Sequence, residues 1–243
     1  MSDSEVFARV LKTINFDIVP EKTALVIVDM QYLDAHRDYG MGAEAKRLGV
    51  AHRYEYYFQQ IEQVVIPNTQ RLLDVCRNAG VQVVYPRIAS LVKDCRDVSI
   101  EHKRLNLLAP ANSRESEILD EVKPLENEIV LTKGASGVFN STAIDQILRN
   151  LGVDTLIVTG VNTNYCVETA VRDAGDRGYN VVLVSDACAA MSEEHQRFAL
   201  EILQAAYCVV KDTDQVVQEI QGRGSDGRQC LEKIESADWI NRM

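Results

Sequence analysis

With 243 residues, 46% of them hydrophobic and 26% charged, the chain is long enough for one large domain with a substantial core. A net charge of −10 argues against nucleic acid or an anionic membrane as partner, and the apolar runs are too short to span a bilayer. Six scattered cysteines (76, 95, 166, 188, 208 and 230) form no CxxC pair or Cys/His cluster, and MSDSEVFARVLKT lacks the basic start and apolar core of a signal peptide. Reduced thiols in a cytoplasmic protein are the expectation.

In chain order, Glu5–Ile14 reads as a short amphipathic helix, and Thr23–Val28 (TALVIV) as a buried strand ending at Asp29-Met30-Gln31. A carboxylate there is expensive unless it faces a cleft with partners; capping the next segment is the plainer alternative. Residues 32–57 are irregular, with balanced charges and many Tyr, His and Arg, and read as a lid-like insertion, a subunit contact or a plain surface excursion. Apolar spacing predicts a helix over Gln59–Ala79, bent or split by Pro67 and stopped by Gly80. A second strand follows at Val81–Tyr85, then Pro86-Arg87. Residues 88–127 form a polar excursion with weak helical pieces near Asp94–Leu107 and Glu115–Val122. The third strand, Glu128–Thr132, ends at Lys133-Gly134, and Ser141 is placed to cap a helix running to Asn150.

The stretch from Val153 to Ala190 is the most informative. The run Thr155–Thr159 is short and β-branched, hence a buried strand; Gly160 ends it and the loop Val161–Tyr165 delivers Cys166. Val167, Ala170, Val171 and Ala174 then recur at helical spacing up to Gly178, and Val181–Val184 is the fifth strand. A helix over Ser192–Ala205, a sixth strand at Tyr207–Val210 and a helix over Asp212–Gln221 complete the core, leaving 222–243 as a C-terminal extension with the only tryptophan, Trp239. Strands alternating with helices predict an α/β fold: a doubly wound, six-stranded parallel sheet with helices on both faces, formed by residues 1–243 as a single domain.

In such a sheet ligands bind beyond the strands' carboxyl ends. Asp29, Lys133 and Cys166 stand there, after the first, third and fourth strands. A helix start lowers a thiol's pKa below its reference of about 8.5, so Cys166 is expected to be an activated nucleophile, with unpaired N–H groups nearby to hold an oxyanion. Asp29 is placed to take the thiol proton and return it to a leaving amine, and Lys133 to keep Asp29 ionised and orient the substrate.

These residues also carry a resemblance. VIVDMQ around Asp29, LTKGASGVFNST around Lys133 and GVNTNYCVETAVRDAGDRGY around Cys166 resemble, in order, the Asp, Lys and Cys signatures of the isochorismatase-like cysteine hydrolase superfamily. The resemblance spans about Thr23 to Asp214. It implies strand order 3-2-1-4-5-6, Asp29 as proton acceptor, Lys133 as charge partner and Cys166 as nucleophile. It also implies a cis peptide at Val161–Asn162, an oxyanion hole from the backbone N–H groups of Asn162 and Cys166, and a homo-oligomer, tetramer or dimer. The histidines (36, 52, 102 and 195) do not form the metal motif of nicotinamidases, so no metal and no cofactor are expected. The wording around Cys166 most resembles amidases acting on carbamoyl and ureido compounds. The implied partner is therefore a small-molecule amide or ureide, cleaved through a thioester with release of ammonia or an amine. The alternatives are a hydrolase of another small amide or of an isochorismate-like vinyl ether, and a catalytically idle oligomeric scaffold.

For substrate contacts the sequence offers Gln31 and Tyr32 beside Asp29, Arg87 after the second strand and Phe139 in the loop after Lys133. Arg87 would suit a carboxylate or a carbonyl-rich ureide, or else a structural ion pair. Gly222-Arg-Gly-Ser-Asp-Gly227 matches G-x-G-x-x-G, but no βαβ unit remains after it. Cys188 follows a strand without a helix start and reads as a buried thiol, and His195 as a surface residue.

Overall fold

The computed structural model describes residues 14–222. The helix expected at Glu5–Ile14, apart from Ile14, and the C-terminal extension after Gly222 with Trp239 lie outside the described residues. Six strands, β1 (Thr23–Val28), β2 (Gln82–Ile88), β3 (Ile129–Lys133), β4 (Thr155–Val161), β5 (Asn180–Ala189) and β6 (Val209–Lys211), pair in parallel in the order 3-2-1-4-5-6. Every residue of β1 is buried, and its side chains alternate between two cores: Leu25 and Ile27 on one face, Ala24, Val26 and Val28 on the other. That alternation with both faces covered is why an unbroken apolar run reads as a central parallel strand.

Among the described residues, α1 is Gly40–Arg47. The long α2 comprises Glu55–Gln60, a π-helical turn Ile61–Val65 and Ile66–Ala79. It starts one turn earlier than its apolar period suggests, because Tyr57 and Phe58 already pack into the core. Pro67 lacks the N–H that residue 63 would accept, and the widened turn lies just ahead of it. After the short α3 (Ile100–Arg104) come α4 (Val138–Ser141) and α5 (Ile144–Asn150); Ser141 ends α4, its hydroxyl donating to the carbonyl of Gly137, and so does not cap the helix to Asn150 as expected, and between the two helices stands Thr142. Its hydroxyl donates to the carbonyl of Val138 and accepts the N–H of Ile144. Then come α6 (Glu168–Asp176), α7 (Glu193–Ala206) and α8 over 213–222. Helices α2 and α8 cover the Leu25 face and α4 to α7 the other. Among the described residues no helix is long and apolar enough to cross a membrane.

Three strands run further than expected. β2 continues through Pro86-Arg87 to Ile88; Pro86 turns its carbonyl toward the end of β1, where Asp29 N–H donates to it at 3.0 Å, so the missing proline N–H leaves the β3 ladder intact. β4 and β5 extend to Val161 and Ala189, with a register shift between Val158 and Gly160. Gly160 has φ of +113°, and a Cβ there would stand 2.0 Å from the carbonyl oxygen of Val28. Only glycine lets β4 lie this close to the last residue of β1, directly before Asp29. Gly160→Ala should therefore cost about 3 kcal/mol or more, read as a lowered urea midpoint.

Candidate active site

Asp29 follows β1 in a left-handed conformation, φ 51°, which turns the chain sharply at the sheet's edge. Its N–H is held by Pro86, its carbonyl accepts from Gln31 N–H at 2.8 Å, and its Oδ1 accepts from Ile88 N–H at 3.1 Å. Lys133 is the last residue of β3, two strands and about 10 Å from β1. A long, straight side chain is needed to cross β2, and the lysine does so: Nζ lies 2.9 Å from Asp29 Oδ2 and 3.5 Å from Cys166 Sγ. The carbonyls of Ala135 and Ser136 accept from it at 3.2 and 3.1 Å. Asp29 and Lys133 are 0% exposed and Cys166 6%. The structure thus brings Asp29, Lys133 and Cys166 into direct contact.

Cys166 sits in a π-helical turn, Thr163–Val167, that leads from β4 into α6, and the peptide Val161–Asn162 is cis. The Asn162 carbonyl accepts from the N–H groups of Tyr165 and Val167, which opens this turn. The expected low thiol pKa is corrected here. Burial pushes the thiol up, the Asp29 carboxylate adds to that, and Lys133 opposes them; the net direction is upward. Helix-start logic assumes a thiolate facing water, whereas this sulfur is desolvated beside an anion. At rest the residue is a protonated thiol, hydrogen-bonded to Asp29. Burial by itself lowers the pKa of Lys133, but Asp29, Cys166 and Asp34 outweigh it, and the ammonium is held above its ordinary value.

Of the four residues expected to meet a substrate, Gln31, Tyr32 and Phe139 have their groups engaged elsewhere and Arg87 is engaged in part. Gln31 donates to the carbonyls of Ile88 and Glu115 at 2.8 and 2.9 Å and accepts from Ile88 N–H at 2.7 Å, so it splints the Asp29 turn. Tyr32 donates to Asp120 at 3.0 Å and lies under the Arg114 guanidinium, 3.7 Å from the ring centre. Arg87 lies within β2; one terminal nitrogen donates to the carbonyl of Ser116, and its buried Nε has no hydrogen-bond partner. Phe139 is in α4, 4.9 Å beneath the Arg177 guanidinium and 6.0 Å from Tyr179, in the turn between α6 and β5 at the amino edge of the sheet. Cys188 lies inside β5, with its thiol pushed up by burial, and His195 is exposed.

Residues that the sequence did not single out complete the surroundings. Asp34 is 4% exposed, and its Oδ1 has no hydrogen-bond partner. Burial and then the charge of Asp29 raise its pKa well above the carboxylate range, against the pull of Lys133. Tyr57 is fully buried with an unpartnered hydroxyl; burial and then Asp34 raise its pKa, while the Asn162 side chain beside it works the other way. His102 supports the Ser136 loop through Nε2 and the Ser136 hydroxyl, 3.4 Å apart; burial, then Lys133, lower its pKa. A carboxylate five positions after Asp29, flanked by the apolar Leu33 and Ala35, was the one available signal. Among the described residues no group of three or more His, Cys, Asp and Glu side chains is placed to hold a metal ion.

The isochorismatase domain family matches residues 23–215, from the first residue of β1 into α8. The chain belongs to that family. It is 27% identical over 221 residues to the ureidoacrylate amidohydrolase RutB of Acinetobacter baylyi, covering 84% of this chain and 86% of that protein. The crystal structure of a cysteine hydrolase from Pseudomonas syringae superposes with a TM-score of 0.73 at 27% identity, over 87% of this chain and 98% of that one. The N-carbamoylsarcosine amidase of Thermoplasma acidophilum does so with a TM-score of 0.62 at 26% identity, over 79% of this chain and 97% of that one.

Proposed function

We propose that the protein is a cysteine-dependent amidohydrolase that cleaves a non-peptide C–N bond of a small linear amide, a ureido or carbamoyl compound. The observation that carries this reading is the buried contact of one carboxylate, one ammonium and one thiol at the carboxyl end of a parallel sheet. Nothing structural demands those three groups together, and burying them costs stability. The relatives named as ureidoacrylate amidohydrolase and N-carbamoylsarcosine amidase support the substrate class.

On this reading Cys166 Sγ attacks the amide carbon as its proton passes to Asp29. The carbonyl oxygen gathers negative charge and is held by the backbone N–H groups of Asn162 and Cys166. Asp29 then gives the proton to the leaving nitrogen, the C–N bond breaks, and ammonia or an amine departs, leaving a thioester. Water, activated by Asp29, hydrolyses the thioester and restores the thiol. Lys133 lies against both Asp29 and the sulfur and balances the negative charge that passes between them during attack.

The test is ammonia release by the purified protein from biuret, N-carbamoyl amino acids, ureidoacrylate, nicotinamide and maleamate. Release from a ureide or carbamoyl compound is expected; release from none of the five would overturn the reading.

A further inference from the structure

Thr163 begins the turn that carries Cys166 and is fully buried; its hydroxyl donates to Gln196 Oε1 at 2.7 Å. Gln196 stands in the first turn of α7, which Ser192 caps by accepting from His195 N–H. Its Nε2 donates to two main-chain carbonyls of β5, Ser185 at 3.0 Å and Cys188 at 3.3 Å. Those carbonyls belong to a bulge. Leu183 stands opposite Val158 and Cys188 opposite Gly160, so residues 184–187 of β5 face the single residue Thr159. Carbonyls only accept, so the amide nitrogen of Gln196 must face them and its oxygen must face Thr163, whose hydroxyl has to donate. Each atom of the link therefore has one role. The backbone hydrogen bonds of the turn are local: the Asn162 carbonyl accepts from Tyr165 and Val167, and the Thr163 carbonyl from Glu168. They fix the shape of the turn, whereas the Thr163–Gln196 bond fixes its place against β5 and α7.

We propose that Gln196 is a positioning residue for Cys166. Through the Thr163 hydroxyl it ties the turn of the nucleophile to the β5 bulge, and so holds Sγ against Lys133 and Asp29. It touches no reacting atom. Its kinetic consequence rests on the amidase reading: a slip of about 1 Å in the turn costs about 100-fold in rate. The loss falls on the attack of sulfur and on the N–H groups that meet the developing oxyanion, and not on substrate binding.

The test cuts the link from both sides in the full-length protein. Gln196→Met keeps the length of the side chain and removes its polar atoms, and Thr163→Val removes the hydroxyl; the second carries the test alone if the first does not fold. Each should lower kcat for ammonia release about 100-fold and change KM less than about threefold. Thr163→Ser, which keeps the hydroxyl, should stay within about threefold of the wild type, and the double variant should be no more than about threefold poorer than the worse single one. A second readout needs no turnover. Cutting the link leaves buried polar groups unpaired, so the turn opens more often and iodoacetamide should alkylate Cys166 at least about tenfold faster. Cys76, buried in α2 beside the start of β2, should keep its wild-type rate. A Cys166 that gains nothing over Cys76, or losses that multiply in the double variant, would overturn the assignment and leave Gln196 as a partner of the bulge carbonyls alone. Ammonia release by the wild type judges the amidase reading separately: if the panel yields none, that reading falls, and alkylation of Cys166 against Cys76 still decides the role of Gln196.

Discussion

Lys133→Met should lower the stability of the fold by about 3–5 kcal/mol, a fall in melting temperature of roughly 10 °C, and abolish turnover. The ammonium is fully buried and stands 2.9 Å from Asp29. Without it Asp29 keeps only neutral donors, Ile88 N–H and the Cys166 thiol, and no cation. Methionine matches the length of the lysine stem, so the loss reports charge and not a cavity. Taking out both charges, with Asp29→Leu and Lys133→Met together, should recover at least about 2 kcal/mol relative to the sum of the single changes. Urea unfolding of the four proteins measures this. Strict additivity would mean that the two residues do not act as a pair.

Asp29→Asn should move two observables in opposite directions. Amide turnover should fall about a thousandfold, because the group that accepts the thiol proton is gone. Alkylation of Cys166 by iodoacetamide should become faster. Burial comes first in raising the thiol and Asp29 second, while Lys133 favours the thiolate. Replacing the carboxylate by an amide removes a negative charge that holds the proton on and leaves the cation in place. In the wild type, alkylation of this thiol below pH 8 should be slower than that of free cysteine and should rise with pH as the proton is lost. Peptide mapping is needed, because Cys76, Cys95, Cys188 and Cys208 are also free and buried. A variant in which turnover and alkylation fell together would point to lost structure and not to a lost base.

Much of this arrangement is legible in the residues themselves. β1 and the start of β4 are buried on both sides, and such strands advertise themselves as apolar runs. Asp29 and Lys133 stand where those runs stop, and residue types that seldom end a buried strand are informative there. The fate of Cys166 is different in kind. Its position was readable, but its proton affinity depends on desolvation and on a carboxylate brought in from 137 residues away in sequence (166 − 29). Asp34 and Tyr57 were hidden for a related reason. Residues 32–57 mix charged, aromatic and apolar residues without a clear period, and local pattern does not say which few of the polar groups turn inward. Arg87 and Phe139 each lie near a strand end or motif, and each makes a contact that only the tertiary structure supplies.

The role of Cys166 is tested most directly by kcat/KM for ammonia release on the best amide of the panel, compared between the wild type and Cys166→Ala. The side chain is small and buried at the start of α6, and alanine leaves the Asp29–Lys133 pair intact, so the variant should fold. A loss of about a thousandfold or more with a preserved melting temperature is the predicted result. Turnover within about tenfold of the wild type would contradict a cysteine nucleophile and leave Asp29 to act on water directly.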